Sequence, residues 1–315
     1  MDRNLALEFV RVTEAAAIES AKWIGRGDKN NADQAAVDAM RDRFNAIDFN
    51  GTIVIGEGTK DEAPQLYTGE TLGTGNGPAM DIAVDPLECT DSVAYGRYNA
   101  LAMIATAPQG SLLQAPDTYM DKIAVGPDAK LVIDLDAPVK DNLLKVAKAL
   151  GKDIREITVS VLDRERHKTL IDEIHAANAR IRLITDGDVA TAIATCMDDS
   201  PIDILMGWGG STEAVLAAAA LRIMDGEILT RFKPRNDKDK AELVKLGISE
   251  DQIFKATDLV KDTAATFTAT GVIDGPLLPG VVFGSKRTIT HSIVMRGSSR
   301  TVRYIKSVHH NEAKQ

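Results

Sequence analysis

Between Ile157 and Met224, short apolar runs alternate with stretches of helical length, and no other feature narrows the possible folds as much. Ile157 to Leu162, Arg180 to Thr185 and Ile202 to Gly207 read as strands. His167 to Ala177, Val189 to Cys196 and the stretch from about Thr212 to Met224 read as the helices that follow them. Helical crossovers of this length join parallel strands. The rhythm therefore predicts an α/β fold with a mostly parallel sheet and ligand groups at the carboxyl ends of its strands.

The chain before residue 157 is less regular. Leu5, Phe9, Val12, Ala16 and Ile24 lie at helical spacing between Leu5 and Gly25, and Gly25-Arg26-Gly27-Asp28 closes that helix. A second helix is predicted from about Ala32 to Phe44, with Asp33 in its first turn. The glycine-bounded run Gly51 to Gly56 suits a buried strand. So do Ile82 to Val84, Asn99 to Ala105 and Tyr119 to Val125, while Pro138 to Gly151 suits a helix. Pro86 is expected to end ladder pairing of the strand before it. Arg231 to Leu246 reads as a solvated loop passing into helix, and the tail after about Val308 as frayed. The expected layout is one catalytic unit of two tightly joined halves, about 1–150 and about 151–315.

The net charge of −9 argues against nucleic acid or an anionic membrane as the main partner. Two cysteines, Cys89 and Cys196, make no disulfide framework and suit a reducing cytoplasm. The N-terminus carries acidic residues early and does not read as a signal peptide. The longest apolar stretch, Ala214 to Met224, contains Arg222 and is too short to span a bilayer.

Four acidic loops share one grammar of apolar strand, glycine or proline, carboxylate and helix. They are Val54-Ile55-Gly56-Glu57-Gly58, Val84-Asp85-Pro86-Leu87-Glu88-Cys89-Thr90, Ile184-Thr185-Asp186-Gly187-Asp188 and Gly209-Gly210-Ser211-Thr212-Glu213. Carboxylates also cap helix N-termini, and for Asp188 or Glu213 alone that reading is as good as a functional one. Four such loops are harder to explain as caps, because Asp85 and Glu88 crowd like charges that need a compensating cation. A hard-oxygen set of this kind suits Mg²⁺ or Mn²⁺.

Other groups are less specific. Asp33 alone is an ordinary first-turn carboxylate. Gly207-Trp208-Gly209-Gly210 before a helix resembles a phosphate-cradling turn. Arg164-Glu165-Arg166-His167 at a strand end can grip a phosphate with guanidinium forks, though a solvent-exposed basic edge is the better reading of those residues alone. Tyr119 reads as a packed aromatic unless its hydroxyl meets a ligand. There is no zinc-type His–Cys spacing, no Gly-x-Ser-x-Gly elbow and no Walker loop, which removes support for serine-nucleophile and kinase chemistry.

Taken in order, Asp33, Gly56-Glu57-Gly58, Asp85-Pro86-Leu87-Glu88-Cys89-Thr90, Asp186-Gly187-Asp188 and Gly209-Gly210-Ser211-Thr212-Glu213 closely resemble class II fructose-1,6-bisphosphatase. This is the bacterial branch of the lithium-sensitive, metal-dependent phosphatases that include inositol monophosphatase. The likeness runs through almost the whole chain, including Asp61-Glu62-Ala63-Pro64, the stretch Ala115 to Pro127 and Ser298 to Arg303. It implies a layered αβαβα fold with sheets sandwiched between helices, and a cytoplasmic homo-oligomer, dimer or tetramer. It also implies Mn²⁺- or Mg²⁺-dependent hydrolysis of fructose 1,6-bisphosphate to fructose 6-phosphate and phosphate, a gluconeogenic step.

Carried over by position, Asp33, Glu57, Asp85, Glu88 and Glu213 match the family's metal ligands. Thr90 matches the hydroxyl beside the attacking water, and Asp61 a loop acid needed for activity. Glu88, Cys89, Thr90, Tyr119, Arg164, Glu165, Arg166, Asp186, Gly187, Asp188 and Gly210 match positions that hold the sugar bisphosphate. The chain departs from the family at Cys89, where glycine is usual, and at Ser211-Thr212, where Ala-Pro is usual. Those departures leave two alternatives open: a phosphatase for sedoheptulose 1,7-bisphosphate or an inositol phosphate, and a low-activity metabolite-binding homologue.

Overall fold

The computed structural model describes residues 5–57 and 65–310. In chain order the helices and strands begin with α1 (Leu5–Ala21), α2 (Lys29–Phe44), β1 (Asn50–Ile55), β2 (Thr71–Leu72), β3 (Ala79–Glu88), α3 (Thr90–Tyr95) and β4 (Ala100–Pro108). They continue with β5 (Tyr119–Val125), α4 (Val139–Leu150), β6 (Thr158–Leu162), α5 (Lys168–Ala176), β7 (Arg180–Ile184), α6 (Asp188–Ala194), β8 (Ile204–Gly210) and α7 (Ser211–Ile223). The last are β9 (Glu227–Lys233), α8 (Asp237–Lys245), β10 (Ile253–Lys255), α9 (Ala256–Leu259), β11 (Thr266–Ile273), β12 (Val282–Phe283), β13 (Arg287–Arg296) and β14 (Thr301–His310). This is a mixed α/β chain. No described helix is long and apolar enough to cross a membrane.

Two compact units divide these elements, one of Met1–Leu112 with Asp262–Gln315 and one of Leu113–Lys261. The changeovers fall there rather than near residue 150, because the C-terminal strands return to the sheet begun by the N-terminal ones.

In the first unit the sheet order is β12-β13-β11-β4-β3-β1-β2, with β14 pairing along β13. Only β1 and β3 are parallel neighbours. Helix α1 lies against β11, β13 and β4, and α2 lies against α1 and β3. Their shared core is anchored by Phe9, Phe44 and Phe49, all fully buried, with ring centroids 5.6–6.0 Å apart. Aromatics make up only 4% of the chain, so this cluster carries a large part of the unit's apolar payload. Truncating Phe9 to Ala is expected to cost about 3–5 kcal/mol.

Pro86 does not end β3. The ladder with β4 pairs Asp85 with Met103 and Glu88 with Leu101, so three steps on β3 match two on β4. Proline is tolerated because it sits in this bulge, where no ladder N–H is required. The consequence is geometric. Residues three apart in a regular strand point to opposite faces, but the extra residue resets the alternation. Asp85 and Glu88 therefore share a face with their partners Met103 and Leu101. Val84 and Leu87 go the other way, into the core beneath α1 and α2.

In the second unit the sheet order is β10-β9-β5-β8-β6-β7. Strand β6 is parallel to both β7 and β8. Strand β5 is antiparallel to β8 and β9, and β9 to β10. The expectation of a mostly parallel sheet is thus corrected to a mixed one. The strand–helix rhythm supplies only β6, β7 and β8, whereas β5 comes from earlier in the chain and inserts beside β8. Arg231 to Lys233, read from the sequence as loop, belong to β9, and residues up to His310 are paired in β14 rather than frayed. Ile123 and Val125 of β5 join α4 and α5 in one core. Helices α6 and α7 cover the opposite face.

Candidate active site

The first unit contributes carboxylates from three elements. Strands β1 and β3 run parallel, and β1 shifts register so that Ile55 pairs with Ala83, on the Asp85 side of the sheet. Glu57 follows two residues beyond Ile55. Its backbone N–H donates to the Leu66 carbonyl at 2.9 Å. Gly56 makes that closure possible, since a Cβ there would sit 1.9 Å from the same carbonyl oxygen. Glu70 fastens the returning chain by accepting from the Leu66 N–H at 2.5 Å and from Arg41 Nε of α2 at 2.7 Å.

Glu88 ends β3 with its side chain buried, and the chain turns at once into α3. Cys89 makes that turn at φ +68°, the left-handed region that favours glycine. Thr90 is the first residue of α3 and half-buried. Lys29, the first residue of α2, reaches Asp91 at 3.4 Å, and α2 packs on α3. Asp33 lies one turn further along α2. Burial pushes its carboxyl up to about 6.

The second unit gathers the other matched positions around one end of its sheet. Tyr119 at the start of β5 is paired with Gly210 on one side and Lys233 on the other. The Arg166 guanidinium carbon lies 4.8 Å from the Tyr119 ring centroid, and its Nη2 donates to the Trp208 carbonyl at 3.0 Å. Arg166 makes no ion pair among the described residues. Arg164 is different, because it is paired with Asp186. Glu165, between them, is exposed.

Asp188 begins α6 after Gly187 and meets Lys122 of β5 at 2.7 Å, both side chains being under 10% exposed. His167 is pinned from two sides. Trp208 N–H donates to its Nε2 at 2.7 Å, which leaves Nδ1–H to donate to the Leu162 carbonyl at 2.7 Å. Burial first, and then the charges of Arg166 and Arg164, hold its pKa below the ordinary value. Lys122, Arg166, His167 and Trp208 line a cavity of about 250 Å³.

Glu213 stands in the first turn of α7. Its carboxylate folds back over Gly210, where a Cβ would lie 1.9 Å from Oε2. Thr212 Oγ1 donates to the same oxygen at 2.6 Å. Ser211, the other departure from the family pattern, ties the segment before Tyr119. Its hydroxyl donates to the Pro116 carbonyl at 2.5 Å and accepts from the Thr118 N–H at 3.1 Å.

The structure thus brings Glu57, Asp85, Glu88 and Thr90 to adjoining carboxyl ends of β1 and β3 in one unit, and Tyr119, Arg166, Asp188, Gly210 and Glu213 to one sheet end in the other. Asp61 lies outside the described residues. Among the described residues, no three His, Cys, Asp or Glu side chains gather at ligating distance of one point. The donor chemistry nevertheless fits a hard divalent cation. Every donor is a carboxylate oxygen, and Asp33 is desolvated in a way that a neighbouring cation would offset. Sequence reading missed Lys122, Lys233, Arg235 and Asp239, which enter through cross-strand register and through side-chain contacts with Asp188, Asp117 and Thr118, far away in the chain.

Residues 3–309 match the family model described as bacterial fructose-1,6-bisphosphatase, glpX-encoded. Fructose-1,6-bisphosphatase 1 class 2 of Escherichia coli (strain K12) is 46% identical over 327 aligned residues, spanning 100% of this chain and 97% of that protein. Fructose-1,6-bisphosphatase class 2 of Shigella flexneri matches with the same identity and coverage.

Proposed function

Because the chain belongs to the bacterial, glpX-encoded fructose-1,6-bisphosphatase family, we propose that it hydrolyses the 1-phosphate of fructose 1,6-bisphosphate, releasing fructose 6-phosphate and phosphate. The geometric observation that carries the reading is the Pro86 bulge. It turns Asp85 and Glu88 to one face at the carboxyl end of β3 and leads directly into Thr90.

In this reading the positions matching the family's metal ligands, Asp33, Glu57, Asp85, Glu88 and Glu213, are those that would hold Mn²⁺ or Mg²⁺. When bound, the metal supplies Lewis-acid neutralisation of phosphoryl charge and acidifies a water. The Thr90 hydroxyl orients the attacking water by hydrogen bonding, and Asp61 matches an acid that the family needs for activity. Arg166 and Tyr119 receive the distal phosphate, the guanidinium donating to its oxygens and the ring limiting where that fork can point. Arg164, already paired with Asp186, orients that carboxylate toward the sugar hydroxyls rather than gripping phosphate itself. Gly210 lets substrate approach the backbone closely. The enzyme works as a cytoplasmic homo-oligomer, dimer or tetramer.

The test is phosphate release from fructose 1,6-bisphosphate with Mn²⁺ or Mg²⁺, with and without lithium. Sedoheptulose 1,7-bisphosphate and inositol phosphate serve as comparison substrates. Chelator-treated protein and Glu213→Ala are expected to be inactive. Full activity in either, or a higher kcat/KM on a comparison substrate, overturns the reading.

A further inference from the structure

Two guanidinium groups, not one, lie over Tyr119. Arg166 is at 4.8 Å from the ring centroid and Arg235 at 5.6 Å. Arg166 sits at a position the family resemblance marks for substrate. Arg235 does not, and its surroundings give it a different task.

Arg235 is engaged by the protein through its backbone N–H, Nε and Nη2. Its Nε donates to Asp239 Oδ2 at 2.8 Å, and its backbone N–H donates to the same oxygen at 3.0 Å. Its Nη2 donates to the Asp117 carbonyl, two residues before Tyr119. Asp239 is 3% exposed and also accepts from Thr118 Oγ1 at 2.7 Å. The two residues that lead into Tyr119 therefore hang on the Arg235–Asp239 pair. Across the segment, Ser211 holds Pro116 and Thr118 from the start of α7. The Tyr119 backbone is fixed by its ladders to β8 and β9. What remains free is the ring, and the groups placed over it are the two guanidiniums.

We propose that Arg235 is a positioning residue: held by Asp239 and Asp117, it fixes the Tyr119 ring against Arg166 and so sets the preference for a sugar bisphosphate over a monophosphate. The inference rests on the fructose-bisphosphatase reading and deepens it. Arg235 acts through Tyr119, since its charge is paired with Asp239 and its Nε and Nη2 are engaged by Asp239 and Asp117. Arg166, with no ion pair among the described residues, keeps its charge for the distal phosphate. A cation over an aromatic face resists rotation of the ring, because the contact is lost when the ring turns edge-on.

The experiment compares steady-state phosphate release by the full chain and by Arg235→Gln, Arg235→Lys and Asp239→Asn. The substrates are fructose 1,6-bisphosphate and fructose 1-phosphate, which lacks the distal phosphate. Arg235→Gln is expected to raise KM for the bisphosphate about ten-fold, the order expected for a lost cation–π contact and its hydrogen bonds. Its kcat should stay within about two-fold, and kcat/KM on the monophosphate should not change. Arg235→Lys keeps a cation over the ring and is expected to rescue most of the KM; Asp239→Asn should move KM in the same direction as Arg235→Gln. An unmoved bisphosphate KM in Arg235→Gln, or equal losses on both substrates, overturns the proposal. Should Arg235→Gln fail to fold, Asp239→Asn decides by the same split between substrates. No turnover by the unaltered chain sinks the bisphosphatase reading and this proposal together, whereas turnover with an unmoved KM sinks this proposal alone.

Discussion

Thr212 Oγ1 donates a 2.6 Å hydrogen bond to Glu213 Oε2, so a hydroxyl that replaces the family's usual proline holds a proposed metal ligand. A carboxylate oxygen engaged this way has to give up that bond, or share it, on ligating a cation. A hydrogen bond to a charged acceptor is worth roughly 1.5–3 kcal/mol in net terms, of which only a part is lost when the bond is shared with the cation. Thr212→Val keeps the shape and removes the donor. The Mn²⁺ concentration for half-maximal activity is expected to fall about three-fold. A metal titration of phosphate release checks this, and an unchanged or higher requirement refutes the coupling.

Cys89 occupies φ +68° at the turn from β3 into α3. An L-residue there costs about 1–2 kcal/mol relative to glycine, which has no Cβ to clash. Glycine in turn loses more chain entropy on folding, about 0.5–1 kcal/mol. Cys89→Gly is therefore expected to stabilise the chain by about 0.5–1 kcal/mol, and Cys89→Val, with its branched Cβ, to destabilise it. Urea denaturation of the three proteins measures the order, and a stabilised valine variant would contradict it.

Cys89 also shows what could be read from the chain alone. A glycine usual at that position implies a positive φ, and the structure places Cys89 in that region. The same logic failed three residues earlier. Pro86 signals the end of a ladder only if the register is regular, and the bulge at Pro86 is set by pairing with Leu101 and Met103 in a different segment. Strand periodicity located β5 and β8 within a few residues, but periodicity carries no information on direction or partner. That Tyr119 lies between Gly210 and Lys233 thus became visible only with the register. The charged stretch that contains Arg235 and Asp239 reads as solvated, and Asp239 is in fact buried. Its partner Thr118 and the Arg235 partner Asp117 lie more than a hundred residues away, beyond the reach of any local pattern.

Lys122 and Asp188 form a buried pair at 2.7 Å, with 2% and 7% of the side chains exposed. Removing one partner strands a charge where water cannot reach it, a loss of about 3–5 kcal/mol. Lys122→Met should be destabilising by that order, and adding Asp188→Asn should restore part of the loss by removing the stranded charge. A double-mutant cycle from denaturant unfolding gives the coupling. Additive effects would show that the pair does not act as a unit. Gly209 bears on the same pair, since a Cβ there would lie 2.1 Å from Asp188 Oδ2. Gly209→Ala is expected to disturb it without altering either charge.

His167 links two parts of the second unit, and it can do so only when neutral. Nδ1–H donates to the Leu162 carbonyl, so Nε2 has to present a lone pair to the Trp208 N–H. A proton on Nε2 would set two donors face to face and break the tie to the strand whose Trp208 carbonyl holds Arg166. Burial is the main reason its pKa lies below the ordinary 6.5, with Arg166 and Arg164 adding to it and the Leu162 bond and Asp188 opposing. Above that ordinary value the ring is neutral both folded and unfolded, and His167 adds nothing to the pH dependence. Below it the unfolded chain takes up a proton that the folded chain refuses. Stability therefore falls as pH drops from about 6.5 toward the depressed folded value. His167→Gln removes the titrating group while keeping a side-chain acceptor within reach of Trp208. Its melting temperature between pH 7.5 and pH 5 is expected to fall less steeply than that of the unaltered chain. Parallel slopes would mean that other groups, not His167, set the acid sensitivity of this unit.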